Sequence, residues 1–549
     1  MPTININRQA FEKFVGKKLA ADKLKDRISM LGTDLESVSD DEIIVEIFPN
    51  RPDMLSVQGF ARAFSSFIGA KTGLAQYKVE SSREKVIIDN SVENVRPYTS
   101  CAIVKNLHFD DEKIKEVIDI QEKLHITYGR NRRKVAIGIY PFEKIKMPIR
   151  FMAKKPGEIK FHPLESDKEM NAYEILEKHP AGKAYGHLLN GLEKFPIFID
   201  ANDEILSMPP IINSHKTGKI NHDTKEIFIE CSGFDFNVLN KCLNMIVTAL
   251  SDIGGKIYSM ELMYGKNKQT TPNLEAEEMK VNIPYINRLL GLNLNETEIK
   301  KLFERMGYGY KNKNVLIPSY RADILHQADL AEDIAIAYGY ENFMALIPNV
   351  ATIAEEDKFE IFKNKISDLL TGLGFMEMST YALSNKEAQC KKMNAEIPLI
   401  ELANSISSDY DVLRAWTLPS LMEILSNNKH HEYPQKIFAI GKAFKKNEAF
   451  DTNIEENENL AVAISSENVD YTRIRQILDY MFMSLGLKYE IIEAEHGSFI
   501  EGRAARAMLK GKKIAYLGEI NPETLTQWSL EMPVAAFELN LSRLFEAME

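Results

Sequence analysis

KVAIGIY at 134–140 and EIFIECSG at 226–233 decide the fold. Both are short, rich in β-branched and apolar residues and bounded by charged or glycine-containing stretches, which marks strands rather than helices, since a helix needs a longer run of 3.6-residue periodicity. They belong to a series. VIID (86–89), YTSCAIVKNL (98–107) and FPIFID (195–200) are of the same kind, and the helical EVIDIQEKLHITYG (116–129) interrupts them. Strands interleaved with helices over 86–270 predict a compact α+β domain.

On the N-terminal side, residues 1–85 read as a smaller α+β domain. Its stretch EIIVEIFPNRPDMLSVQGFARAFSSFIG (42–69) places a turn at Asn50 to Asp53, with Asp53 as the cap of a helix carrying Val57, Phe60, Ala61, Phe64 and Phe67 on one face. Ser81 to Glu84 reads as a linker. On the C-terminal side, 271–347 reads as a small helical domain: Asn295 and Glu298 have capping-box spacing ahead of Ile299, Leu302, Phe303 and Met306. Residues 348–549 open with an amphipathic helix (357–373) and continue through KIFAIGKAF, NLAVAIS, KKIAYLGEI and VAAFELNL, an antiparallel sheet with helices packed on it. The expected fold class is thus multidomain α+β, and 549 residues exceed what one hydrophobic core sustains.

No run approaches the ~18 apolar residues a membrane span requires, and the first residues lack a secretory pattern, so no membrane association and a cytoplasmic location are expected. The four cysteines Cys101, Cys231, Cys242 and Cys390 are widely spaced, which supports neither a disulfide framework nor a zinc site. A net charge of -11 requires that any nucleic acid be held by local basic patches such as GRNRRK (129–134) or by a basic partner. Walker, dinucleotide-fingerprint, zincin and nucleophile-elbow motifs are all missing, which removes the ordinary ATPase, dehydrogenase and serine-hydrolase classes.

Two constellations remain. In RADILHQADLAED (321–333), Asp329, Glu332 and Asp333 stand at i, i+3 and i+4, and Asp323 at the mouth of the helix is able to complete an all-oxygen, Mg²⁺-type cluster. The alternative is a set of solvated acids meeting the positive end of the helix dipole. In the strand-rich domain, Asn213, Ser214, Glu230 and Ser232 are polar residues in or beside apolar strands. Either they line a pocket that reads a ligand hydroxyl and orients a water, or they form a turn and a Glu230–Lys pair.

FPNRPDMLSVQGFAR (48–62), IGIYPFEKIKMPI (137–149), HPAGKAYGHLL (179–189), MPPIINS (208–214), IPSYRADILHQADLAEDIAIAYGY (317–340), SISSDYDVLRAWTLPSLMEIL (405–425) and GRAARAMLKGKKIAYLGEINPETL (502–525) together, in this order, resemble the β subunit of phenylalanyl-tRNA synthetase, and by length its archaeal and eukaryotic form. The resemblance implies an α₂β₂ heterotetramer that joins phenylalanine to tRNA(Phe) with ATP, the α subunit binding ATP and phenylalanine at the synthetic site. It implies that 86–270 is an editing domain hydrolysing mischarged Tyr-tRNA(Phe) with a positioned water. Glu230 would accept the tyrosyl hydroxyl, and Leu206, Ser207, Asn213, Ser214 and Ser232 would line the pocket. It further implies that 271–347 is a winged-helix-like domain holding Mg²⁺ through Asp323, Asp329, Glu332 and Asp333, shared with α. Residues 348–549 resemble a degenerate, non-catalytic class II synthetase module whose opening helix buries its stripe against a partner. Within the editing domain two segments depart from the family pattern: ECSGFD, where threonines are expected after the glutamate, and Pro141, where an aspartate is common. A stand-alone editing hydrolase and a scaffold for α are the rival readings.

Overall fold

The computed structural model describes residues 2–347 and 354–548. The chain divides into two compact units, Met1–Ile347 and Pro348–Glu549, so the expected boundary at 347/348 opens on residues outside those described. Each unit is α+β.

The first unit is built on a 10-stranded sheet. From edge to edge its path runs Ile212–Asn213, Ile205–Met208, Phe195–Ile199, Ile149–Lys154, Val79–Ile88, Lys256–Tyr264, Tyr98–Lys105, Ile227–Gly233 and Val135–Pro141, with Asn267–Thr271 paired off this path. Every residue of Ile227–Gly233 and of Val135–Pro141 is buried, which is why both read as nearly continuous apolar runs rather than as alternating strands. Alternation still sorts their side chains. Ile227, Ile229 and Cys231 face the helix Phe236–Asp252 and its core, whereas Phe228 and Glu230 face the opposite side with Cys101 and Tyr140. That helix starts where Asp235 accepts hydrogen bonds from the Asn237 and Val238 amides. The sheet curls until its two ends meet: Arg132, at the head of Val135–Pro141, donates to the Ile211 carbonyl at 2.9 Å. The basic run around Arg132 is therefore partly structural, its guanidinium also pairing with Glu122 and lying over the Tyr185 ring.

Two sequence expectations change here. Ser56, not Asp53, caps the helix Val57–Phe67, because Asp53 is buried in a 3₁₀ turn and paired with Arg51 at 2.8 and 2.9 Å. Ser81 to Glu84 is not a linker but part of the strand Val79–Ile88, whose register shifts where it pairs with Lys256–Tyr264. The capping box of Asn295 and Glu298 forms as expected.

The second unit carries a 7-stranded sheet in the order Met376–Glu377, Gln435–Lys446, Ile454–Ser465, Val534–Asn540, Lys512–Ile520, Phe499–Leu509, Glu490–Glu493. All its pairings are antiparallel except that of Met376–Glu377. The helices Lys358–Gly372, Tyr471–Ser484 and Leu541–Met548 cover one face and Leu418–Asn427 the other. The opening helix buries Phe362, Ile366 and Leu370 in this unit's own core, and Phe359 and Phe362 pack on Phe545. An amphipathic stripe fixes only that one face is covered, and here the C-terminal helix covers it.

Candidate functional site

Glu230 lies in the middle of its strand, with Cys101 opposite it on one neighbouring strand and Gly138 on the other. The glycine matters sterically. A Cβ at 138 would stand 2.1 Å from the Tyr140 hydroxyl and 2.5 Å from Glu230 Oε1, so the empty position lets the Tyr140 side chain, two residues along on the same face, reach back to the carboxyl group. The Tyr140 hydroxyl donates to Glu230 Oε1 at 3.2 Å and lies 3.4 Å from Asn213 Oδ1. Asn213 belongs to the far edge of the sheet, so the curl of the sheet is what assembles the site. Gly138→Ala is expected to destabilise the chain by about 1–3 kcal/mol through overpacking, seen as a lowered urea midpoint at an unchanged slope.

Glu230 is 1 % exposed and has no lysine partner among the described residues, contrary to the Glu230–Lys alternative. Burial raises its pKa to about 8, with the Arg96 charge and the nearby Tyr140 and Ser232 hydroxyls pulling the other way. Arg96, 3 % exposed, donates to Ser232 Oγ at 3.1 Å and to the Ser232 carbonyl at 2.5 Å, and burial lowers its pKa to about 10. It is a desolvated cation near Glu230 that makes no ion pair with it. Leu206 is in the same apolar cluster as Tyr140, and Ser207 stands opposite Asn213 in the strand register.

Five buried polar atoms in this region have no hydrogen-bond partner: Glu230 Oε2, Ser207 Oγ, Ser214 Oγ, His215 Nδ1 and Thr217 Oγ1. Each such orphan costs about 1–3 kcal/mol. Folded proteins tolerate few of them, so their concentration between 207 and 230 marks a place where a ligand or ordered water completes the bonding. Burial pushes the Cys101 and Cys231 thiols well above their ordinary range, which disqualifies both as nucleophiles at neutral pH. Sequence reasoning missed Tyr140, Arg96, His215 and Thr217. Gly138 inside an apolar strand was a usable signal for Tyr140; nothing local singles out Arg96. His179 is structural: it caps the helix Pro180–Tyr185 and contacts the Leu164 carbonyl.

The acidic helix is arranged differently from the expectation. Asp323 is held by both arms of Arg321 at 2.8 and 2.7 Å, and Asp333 Oδ2 accepts from Arg321 at 2.8 Å and from the Tyr308 hydroxyl. Asp329 is turned back to cap its own helix, accepting from the Leu325 and His326 amides at 2.7 Å each. Glu332 is exposed, with no hydrogen bond or ion pair among the described residues. Residues at i+3 and i+4 from Asp329 diverge by about 100° around the axis, and that separation puts Asp333 in the core and Glu332 in solvent. The four carboxylates form no common ligand set: among the described residues the only group of that kind is Asp34, Glu36 and Glu46. As arranged, these residues do not fit a closed Mg²⁺ cage.

Three family models match the chain: "Phenylalanyl tRNA synthetase beta chain CLM domain" over 345–541, "tRNA synthetase B5 domain" over 279–340 and "B3/4 domain" over 92–245. The chain is 40% identical to the phenylalanine–tRNA ligase β subunit of Pyrococcus abyssi over 556 residues, covering 100% of both chains. It is 38% identical over 558 residues to that of Archaeoglobus fulgidus, again covering 100% of both. Among solved structures, an N-terminal fragment of the phenylalanyl-tRNA synthetase β subunit from Pyrococcus horikoshii matches at a TM-score of 0.59 and 38% identity, covering 61% of this chain and 99% of that one.

Proposed function

This chain belongs to the phenylalanine–tRNA ligase β-subunit family, and from that premise we propose that its Glu230 site is a hydrolytic proofreading site for tyrosine misattached to tRNA(Phe). The cluster of unpartnered buried polar atoms around Glu230 carries the reading. A synthetic site that binds phenylalanine in an apolar pocket rejects an analogue with one added hydroxyl only weakly, whereas a site built to hydrogen-bond that hydroxyl separates the two strongly. Glu230 Oε2 supplies the reader, and Leu206, Ser207, Asn213, Ser214 and Ser232 supply the surrounding wall. With both nearby thiols protonated, the ester is attacked by a water, oriented by the neighbouring hydroxyls and by His215, and the RNA's own hydroxyl assists. Beside Arg96, a cavity of about 240 Å³ is also lined by Arg133 and His187, groups suited to the phosphate of an incoming acceptor end.

In this reading 1–85, 86–270, 271–347 and 348–549 act as an N-terminal domain, an editing domain, a winged-helix-like domain and a degenerate synthetase module, the strand Val79–Ile88 crossing the first boundary to join the editing domain's sheet. The chain works in the cytoplasm as the β subunit of an α₂β₂ assembly whose α subunit binds ATP and phenylalanine. No described helix is long and apolar enough to cross a membrane. A Mg²⁺ at the acidic helix would rely on Glu332 and on ligands from the second chain, since Arg321 and the helix cap engage the other three acids.

The test is deacylation of tyrosyl-tRNA(Phe) by the chain assembled with its α subunit. Release of tyrosine well above the spontaneous rate, with phenylalanyl-tRNA(Phe) largely spared, is the expected result. No acceleration by the assembly reduces the chain to a scaffold, and full activity without α favours a stand-alone hydrolase.

A further inference from the structure

We propose that Tyr140 is a positioning residue that divides the two oxygens of Glu230, its hydroxyl holding Oε1 so that Oε2 alone is left to read a ligand hydroxyl. This rests on the proofreading reading of the same site.

The last torsion of a glutamate side chain is broad and nearly two-fold, so an unrestrained carboxyl group presents either oxygen to a ligand. Here the two oxygens are unequal. Oε1 accepts from Tyr140 at 3.2 Å, while Oε2 is buried and unpartnered. The Tyr140 ring is itself fixed: fully buried, stacked on Phe228 with centroids 5.8 Å apart, and packed in a cluster with Phe151 and Phe198. Gly138 keeps its path to Glu230 open. Arg96, turned onto Ser232, balances charge from a distance without occupying Oε2. Oε2 stays the free oxygen in both protonation states of Glu230, but the two states bind the ligand hydroxyl with different strength. As a carboxylate, Oε2 accepts from the ligand hydroxyl; as a neutral acid with its proton on Oε2, it donates. Loss of the Tyr140 hydroxyl frees the carboxyl group to turn and blurs the distinction between a substrate with a phenol and one without.

The experiment uses Tyr140→Phe, which keeps the ring, in the assembled α/β enzyme, with tyrosyl- and phenylalanyl-tRNA(Phe) as separate substrates. The expected result is an approximately tenfold fall in kcat/KM for the tyrosyl ester, mostly in KM, with the phenylalanyl ester unchanged. The pH profile gives a second readout. The titratable groups facing Glu230 are Arg96, Tyr140 and Cys101, and the Tyr140 hydrogen bond is among those that lower its pKa. Removing it moves the corresponding limb of the tyrosyl profile to higher pH. If the wild-type enzyme clears tyrosyl-tRNA but Tyr140→Phe keeps the same substrate ratio and profile, or loses both substrates equally, the positioning role is wrong while the proofreading reading stands. If the wild-type enzyme clears neither ester, the proofreading reading fails and this inference falls with it.

Discussion

Replacing Glu230 with alanine is expected to lower hydrolysis of tyrosyl-tRNA(Phe) by the assembled enzyme about a hundredfold, with little change for phenylalanyl-tRNA(Phe). In the proofreading reading the hydroxyl of a bound tyrosine meets Glu230 between apolar strands, out of bulk solvent. Without the carboxyl group it is left unsatisfied, and the penalty falls only on the substrate that carries it. Glu230→Gln retains a donor and an acceptor and is expected to lose less at neutral pH. Equal losses for both esters in Glu230→Ala would assign the residue to packing rather than to recognition.

The same residue sets a pH dependence of stability whose sign follows from linkage. Burial raises its folded pKa from 4.5 to about 8, so between those values the native state binds more protons than the unfolded chain. This group's relative stabilisation is complete at acid pH and is lost as pH rises through that window. Glu230→Gln removes the loss. Its unfolding free energy relative to wild type should therefore climb from about pH 4.5 to about pH 8 and level off above, as measured by urea denaturation at a series of pH values. A flat difference across that range would mean that the carboxyl group is not desolvated as the structure has it.

Arg321→Met is the second large effect, a destabilisation of about 3–5 kcal/mol. The side chains of Arg321, Asp323 and Asp333 are 2%, 12% and 8% exposed. Removing the cation leaves two carboxylates facing each other out of water, and Met replaces the volume without replacing the charge. Faster amide exchange across Gln327–Tyr338, together with a lower urea midpoint, is the expected signature. Arg321→Met combined with Asp323→Asn and Asp333→Asn should recover much of the loss, because a buried ion cluster removed whole costs far less than one left unpaired. If Arg321→Met alone unfolds like the wild type, those acids are neutralised by something else, and a shared metal becomes the better account of them.

Whatever is encoded locally was legible from the residues alone. Apolar runs specified the strands that carry Glu230 and its neighbours, and the Asn295–Glu298 box specified a helix start, because pairing period and cap chemistry depend only on residues a few positions apart. The ordered motifs specified the family, and Glu230 stood out as an acid in an apolar strand. Tertiary structure alone decided where longer-range pairing sends the side chains. Asp323 and Asp333 went to Arg321, Asp53 went to Arg51 rather than to a helix cap, and Phe362, Ile366 and Leu370 of 357–373 were covered from within their own unit. It also brought Tyr140 from one end of the sheet to Asn213 at the other, across 73 residues, leaving one oxygen of Glu230 held and the other free. A buried charge or hydroxyl takes whichever partner the packed core delivers, and which partner that is follows from the closing of the sheet, not from spacing along the chain.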